Sequence, residues 1–499
     1  MSSQALAELP ADAKKMLKTF PGERITLDLV VGRAVEASDS FSQVKSLAAT
    51  IDIAELTSLA QTDTRFSATG AREINRNEPS SPFGTNKLFT TRFNLGASSY
   101  FTTGTTATAE LGSSRTLLGL QVAFPPSPSI YSYYETRGAL TLTQNLWQDA
   151  FGYGGRRAKE AGRLMTQAAR FGFEEAVEDW VLQLVQVYYD AWYSQAQAKV
   201  ADAHVKLNER LTKITGIKLN RGTAEQPDFL QAKSNLMNAR VQSQQASQVL
   251  GDRWRNLVLS LKLPDDWVNI DPKELPIELD QPIDASLKAC GLEGTWKGTT
   301  PKNSSTTRKI ELQAQAAKLS AERAMNGVAP DVELFGSVVP NGIDSASLGN
   351  TLTETRKLDH PAWTVGLNVV VSLGQYAERA AAHQAVADLD RLDAAASASQ
   401  SDLKLEWLNS CANLKRLNDS YALLNEAYEA QSRRASLEEE RFRIGRTTTL
   451  NVIQAANDAL SAESALRGNE VTRRIAAWRV RRLALGYRAY LSSLKGSQQ

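Results

Sequence analysis

Proline and histidine are scarce in this chain, with 16 Pro and 3 His among 499 residues. Each proline removes a backbone donor and clashes with the preceding helical turn, so its rarity leaves room for long unbroken helices. Abundant Ala, Gln, Leu, Arg and Glu suit long helices better than an enzyme assembled from many short elements. His204, His360 and His383 lie far apart, and Cys290 and Cys411 make neither a disulfide framework nor a metal-ligand spacing. Two thiols say little about compartment. Charge of one sign is also missing: 57 Lys and Arg face 55 Asp and Glu, so no general attraction to nucleic acid or an anionic surface is implied. No run approaches 18 consecutive apolar residues, which excludes a membrane-spanning helix. Met1 to Pro10 has neither a charged n-region nor an apolar h-region. Either the protein is cytosolic or its signal peptide is not in this sequence.

Two segments repeat one another. Lys218 to Ala232 lies over Arg441 to Ala455, with Gly222 on Gly445 and Gln231-Ala232 on Gln454-Ala455, each pair 223 positions apart. The chain is a tandem duplication of one long unit, and such a repeat governs every later inference about architecture. Proline is absent from about Arg156 to Asn220 and from about Tyr376 to Arg443. In the first run Val177, Trp180, Val181, Leu184, Tyr188, Ala191 and Trp192 share one helical face. In the second, Trp407, Cys411, Leu414, Leu417, Tyr421, Leu424 and Tyr428 recur at heptad-like steps. About 65 residues at 1.5 Å each predict rods of roughly 100 Å. Each run ends at a glycine fit for a left-handed C′ position, and a returning helix follows, about Gln226 to Leu261 and Thr449 to Leu494. Pro227 suits the first turn of one, and Thr447, Thr448 or Thr449 would cap the other.

Before each rod the period changes to two. Val365, Leu367, Val369, Val371 and Leu373 alternate with small and polar residues, as do Leu140 and Leu142 with Thr141 and Thr143. Arg65 to Ile74, Leu88 to Phe101, Thr105 to Leu111 and Ala329 to Val339 are further strand candidates. Loops rich in Gly, Ser, Pro and Asn separate them at 75–86, 112–134 and 341–360. Strands of about ten residues with one apolar and one small-polar face match those of transmembrane β-barrels.

This order of elements resembles the TolC-type outer-membrane efflux proteins over about Arg24 to Tyr487. The likeness is carried by Arg24-Ile25-Thr26-Leu27, by Gly138 to Trp147 and Trp363 to Gly374, by Val187-Tyr188-Tyr189-Asp190-Ala191, and by the tips Arg221-Gly222 and Ile444-Gly445. The resemblance implies an α+β membrane protein. In it a trimeric outer-membrane β-barrel of about four strands per protomer continues as a periplasmic α-helical barrel. Its expected segments are an N-terminal segment (1–24), an opening helix (25–63), strands and loops (64–147) and a helical hairpin (148–263). The second repeat follows with a linker, equatorial region and opening helix (264–327), strands (328–374), a second hairpin (375–495) and a tail (496–499). Strands 88–101 and 105–111 exceed that pattern and are either an extracellular excursion, the reading favoured, or extra barrel strands, and the Gly/Ser/Thr-rich stretch 291–307 is expected to interrupt an opening helix.

The implied function is the outer-membrane channel-tunnel of a Gram-negative efflux or type I secretion system. Its partners would be a periplasmic adaptor (membrane fusion protein), an inner-membrane RND, ABC or MFS transporter, and outer-membrane lipid. Neither cofactor nor nucleic acid is expected. The family's pore-narrowing positions fall on Asn451 and Gln454, with Asp228 at the matching place in the first repeat and Arg446 as its expected partner in a neighbouring protomer. Adaptor docking is expected at Arg221, Gly222, Thr223, Ile444, Gly445, Arg446 and Thr447, and lipid contact at Leu140, Leu142, Val365, Leu367 and Val369. An enzyme is disfavoured, since Gly152, Gly154 and Gly155 lack the Gly-Lys-Ser/Thr ending of a phosphate loop. A soluble coiled-coil scaffold is the alternative, and it leaves the alternating strands unexplained.

Overall fold

The computed structural model describes residues 24–76, 85–120, 130–279, 283–291, 304–358 and 361–496. In chain order these form α1 (Leu27–Ala37), α2 (Asp39–Ser46), α3 (Ile53–Leu59), β1 (Arg65–Asn75), β2 (Thr85–Tyr100), β3 (Thr105–Leu120), β4 (Ile130–Asn145), α4 (Tyr153–Asn220) and α5 (Gln226–Ser260). The second repeat contributes α6 (Asp284–Ala289), α7 (Ser305–Asn326), β5 (Asp331–Asp344), α8 (Leu348–Lys357), β6 (Pro361–Val370), α9 (Tyr376–Arg443), α10 (Thr449–Leu485) and α11 (Arg488–Gly496). The duplication is written into the helix boundaries. Tyr153 and Tyr376 open, and Asn220 and Arg443 close, two helices of 68 residues each, at the same 223-residue offset. The chain divides into two compact units, one of Met1–Ala49, Arg170–Arg308 and Ala398–Gln499, the other of Thr50–Ala169 and Lys309–Ser397.

The second unit holds a single antiparallel sheet in the order β1-β2-β3-β4-β5-β6. Among the described residues six strands stand where about four were expected, because 88–101 and 105–111 are paired into the sheet. They lie within β2 and β3, paired with each other and, on their outer sides, with β1 and β4. The loop expected over 112–134 is likewise shorter. β3 runs to Leu120 and β4 starts at Ile130, since Gly112, Ser113 and Ser114 are small residues inside a paired strand; 121–129 lie outside the described residues, as do 77–84 and 292–303. A tight corner joins β4 to α4. Asp149 Oδ1 accepts from the backbone of Gly154 and Gly155, and its Oδ2 accepts from Tyr100 at 2.5 Å. The three glycines read as a superficial phosphate loop thus surround a helix N-terminus already capped by the chain's own carboxylate.

In the first unit, α1 buries Leu27, Val30, Val31 and Ala34 against Trp180, Val181, Leu184, Val185 and Tyr188 of α4 and Trp254, Leu257 and Val258 of α5. The starts of the two repeats are tied here. Ile25 bridges Ile277, with Ile25 N–H donating to Pro276 at 2.9 Å and Glu278 N–H donating to Ile25 at 3.0 Å. Tyr188 Oη donates to the Ile25 carbonyl at 2.9 Å, so the aromatic patch midway along α4 is a buried clasp. The two cysteines, given no pairing by their spacing, form a disulfide between Cys290, just after α6, and Cys411 in α9. Leu403, Trp407, Leu414, Ala476, Ala477 and Val480 bury it.

Closing a loop of 121 residues restricts the unfolded chain, worth about 2–4 kcal/mol in typical proteins. Cys411→Ser is therefore expected to lower the thermal midpoint, and the wild-type chain denatured without reductant to show no free thiol among these two. The glycines give a second expectation. Gly152 and Gly222 both have positive φ, at 75° and 74°, but a Cβ at 152 meets the Thr102 carbonyl oxygen at 2.1 Å whereas one at 222 meets nothing within 4 Å. Gly222→Ala should cost only the left-handed backbone term, about 1–2 kcal/mol, and Gly152→Ala clearly more in the same unfolding assay.

Candidate functional site

Two surfaces carry the candidate residues. On the sheet, the register fixes which side chains share a face, because successive residues of a strand point to opposite sides. One face collects Phe66, Phe93, Leu95, Ala97, Ala109, Leu111, Leu140, Leu142, Leu334, Val338, Trp363, Val365, Leu367 and Val369. The other collects Ser67, Thr69, Glu73, Thr90, Arg92, Asn94, Thr108, Glu110, Ser114, Thr116, Glu135, Arg137, Ser337, Thr364 and Asn368. All five residues expected at the lipid lie on the first face. They are uncovered in the single chain: Phe66 is 82 %, Trp363 71 % and Val365 79 % exposed, too much for the dry face of a packed soluble sheet. A polar groove runs along the second face, and there Arg92 pairs with Glu73 at 3.0 Å. Exposed aromatic residues gather where the strands meet the helices, at Phe101, Trp147, Phe151 and Tyr376.

α8 sits on the apolar side of β4 and β5. Thr351 Oγ1 lies 2.8 Å from Thr136 Oγ1, and Thr355 donates to the Thr136 carbonyl at 3.1 Å. Periodicity did not show this helix, whose residues fell within a stretch read as loop. Its signal was Ser347, which accepts from Asn350 N–H as the N-cap.

The second surface is the pair of helical tips. α4 ends with Thr223 N–H donating to Lys218 at 2.8 Å and α9 with Arg446 N–H donating to Arg441 at 2.8 Å, each across a glycine of positive φ. This six-to-one bond satisfies a carbonyl that the helix leaves open. α5 then starts with a capping box in which Glu225 N–H donates to Asp228 Oδ2 at 3.4 Å and Pro227 fills the first turn. α10 starts on Thr448, whose hydroxyl accepts from Asn451 N–H at 3.4 Å, while Asn451 Nδ2 donates to Thr447 at 3.2 Å. Asp228 and Asn451 are therefore cap residues, each at its own tip. No ion pair joins Asp228 to Arg446 within the chain among the described residues. Asn451 and Gln454 are both exposed, one turn apart, and Arg221, Gly222, Thr223, Ile444, Gly445 and Arg446 are exposed at the turns.

The tips are bound to each other just behind the turns. Leu211, Phe442, Val452 and Ile453 form a small core with Leu207 and Ile214. Lys218 Nζ donates to the Phe442 carbonyl at 2.6 Å and lies 3.6 Å from the Phe442 ring centre, and burial lowers the pKa of its amine. Among the described residues no cluster of three or more His, Cys, Asp or Glu could hold a metal ion. His204 lies in α4, His383 in α9, and His360 lies outside the described residues.

His204 is half-buried, and the desolvation pushes its pKa below the ordinary value, partly offset by a hydrogen bond to Asn457 of α10. The unfolded chain then binds more protons than the folded one, so this contribution is complete above about pH 6.5 and declines as the pH falls below that. The thermal midpoint of the wild type is expected to drop more between pH 7.5 and 5.5 than that of His204→Gln, measured side by side.

No protein-family model matches the sequence, and no curated protein matches it. Solved structures do match. The outer membrane protein VceC from Vibrio cholerae is 14 % identical, with 92 % of this chain and 96 % of that one covered at a TM-score of 0.64. The outer-membrane channel OprN is 17 % identical over 97 % and 96 % at 0.63. The open state of the MtrE outer membrane channel from Neisseria gonorrhoeae is 14 % identical over 92 % and 89 % at 0.60. With a duplicated strand-and-hairpin unit, a sheet sorted into apolar and polar faces, and this likeness over nearly its whole length, the chain has the TolC-type outer-membrane channel fold.

Proposed function

We infer that this protein is the outer-membrane duct of a tripartite efflux or type I secretion assembly. Three copies close one barrel through the outer membrane, and their helices carry the passage into the periplasm. The observation that carries this reading is the uncovered apolar face running across all six strands, opposite a face of Ser, Thr, Asn, Glu and Arg. In lipid the first is the solvated side and the second lines water. Leu140, Leu142, Val365, Leu367 and Val369 face lipid, and Phe101, Trp147, Phe151 and Tyr376 stand at its periplasmic boundary, where aromatic rings are favoured. The Cys290–Cys411 disulfide suits an oxidising compartment such as the periplasm.

The tips at Arg221, Gly222, Thr223, Ile444, Gly445, Arg446 and Thr447 receive a periplasmic adaptor hairpin, which an inner-membrane RND, ABC or MFS transporter feeds. Asn451 and Gln454 narrow the closed end without charge. Asp228 keeps one carboxylate oxygen for Arg446 of a neighbouring copy, a contact of exposed charges worth under about 1 kcal/mol.

Fractionation and electrophoresis test the assignment. Expressed in a Gram-negative host, the protein is expected in the outer membrane as a trimer that survives SDS without heating, and purified protein is expected to form conducting pores in planar bilayers. A soluble elongated species without pore activity would instead support a coiled-coil scaffold. Charge reversal at Asp228 or Arg446 is expected to raise single-channel conductance; unchanged conductance removes the latch.

A further inference from the structure

The β2–β3 hairpin is what separates the first repeat from the second, and its position assigns it a role. Its turn does not lie on the side of the long loops. Asn145 N–H donates to the Gly104 carbonyl at 3.2 Å, Gln144 Nε2 to the Thr103 carbonyl at 3.1 Å, and Thr105 Oγ1 to Gln144 Oε1 at 2.6 Å. Tyr100, at the end of β2, donates to Asp149 in the corner that opens α4. The hairpin therefore spans the full height of the sheet, from the strand–helix corner to the opposite rim. Its apolar residues Leu95, Ala97, Ala109 and Leu111 continue the band that includes Phe66 and Leu140, and Asn94 and Glu110 continue the polar face.

We propose that all six strands of each copy, the β2–β3 hairpin included, are wall strands of the barrel, that β6 of one copy pairs with β1 of the next, and that three copies close eighteen strands around a wide lumen. The inference rests on the trimeric duct reading above. β1 and β6 are the two open edges of the sheet. With every neighbour antiparallel and an even number of strands, they run in opposite senses, so head-to-tail copies join antiparallel without a mismatch. In hydrocarbon no edge is tolerated, because unpaired backbone groups find no water, and the apolar face reaches both edges at Phe66 and Trp363. At a strand spacing of about 4.8 Å and a tilt of about 40°, eighteen strands enclose a backbone diameter of about 36 Å, against about 24 Å for twelve. Barrels of 16–18 strands leave an aqueous channel.

Cysteine accessibility in the full-length protein in outer membranes tests the hairpin directly, since Cys290 and Cys411 are already joined. Ala97→Cys and Ala109→Cys are expected to react with a membrane-soluble maleimide and to resist a charged one; fast labelling of both by the charged reagent would show the hairpin in water and overturn the proposal. Cryo-electron microscopy of the purified wild type supplies the strand count. Eighteen strands in a trimer are expected. A trimeric wall of twelve with 85–120 outside it overturns the proposal and leaves the duct reading standing, whereas a six-strand wall segment in an assembly of another copy number overturns the trimer instead.

Discussion

Backbone pairing across the sheet constrains everything else in this protein. β2 to β5 each have a neighbour on both sides, so every side chain in them is committed to one face by a register that cannot slip without exchanging the faces. Among the described residues no layer of protein covers most of the apolar face; α8 covers only part of β4 and β5. On the duct reading, a nonpolar medium meets that face and further strands meet its edges. Oligomerisation is, on that reading, the means by which the backbone groups of β1 and β6 find partners.

Duplication explains how two chemically different regions are built by one short plan. Each repeat feeds from a strand through a left-handed corner, at Asp149 to Gly152 or at Gly374 and Gln375, into a helix of 68 residues. The corner turns the chain from a surface with a two-residue period to one with a helical period. The repeats are joined at the Ile25–Ile277 bridge, in the sheet where β4 pairs with β5, and behind the tips where Leu211 and Lys218 meet Phe442, while the Tyr188 hydroxyl on the Ile25 carbonyl and the Cys290–Cys411 link each fasten a long helix within its own repeat. Beyond these contacts the turns themselves are shaped by a few polar caps. At those tips the two repeats differ in their caps. Asp228 completes a capping box, and Asn451 does the same work without charge through Thr447 and Thr448.

Much of this was legible in the sequence because it is local. Glycine at 222 and 445, proline absent for more than sixty residues, and alternation at 363–373 each act through the chain's own nearest neighbours, so they fix helix ends, helix lengths and strand faces. The burial of Trp180, Val181, Leu184, Tyr188, Trp407, Cys411 and Leu414 follows the predicted seams for the same reason. Other features needed the partner strand or helix. The segments 88–101 and 105–111 alternate like wall strands and sit between loop-like stretches like an excursion; their place in the sheet comes only from their pairing with β1 and β4. Two cysteines 121 residues apart carry no sign of pairing until α6 is laid against α9. Nor does the sequence reveal that Asp228 serves its own helix before any neighbour, because a carboxylate at that place satisfies a cap and an ion pair equally well.

The sequence by itself therefore determined the repeat, the long hairpins and the two-faced character of the strands, all of which arise from periodicity and backbone conformation over a few turns. Only the tertiary structure decided that the sheet has six strands, that its extra hairpin reaches the strand–helix corner, and that the cysteines are joined. Those outcomes depend on contacts between residues tens or hundreds of positions apart, whose loop-closure cost and mutual fit no local pattern records.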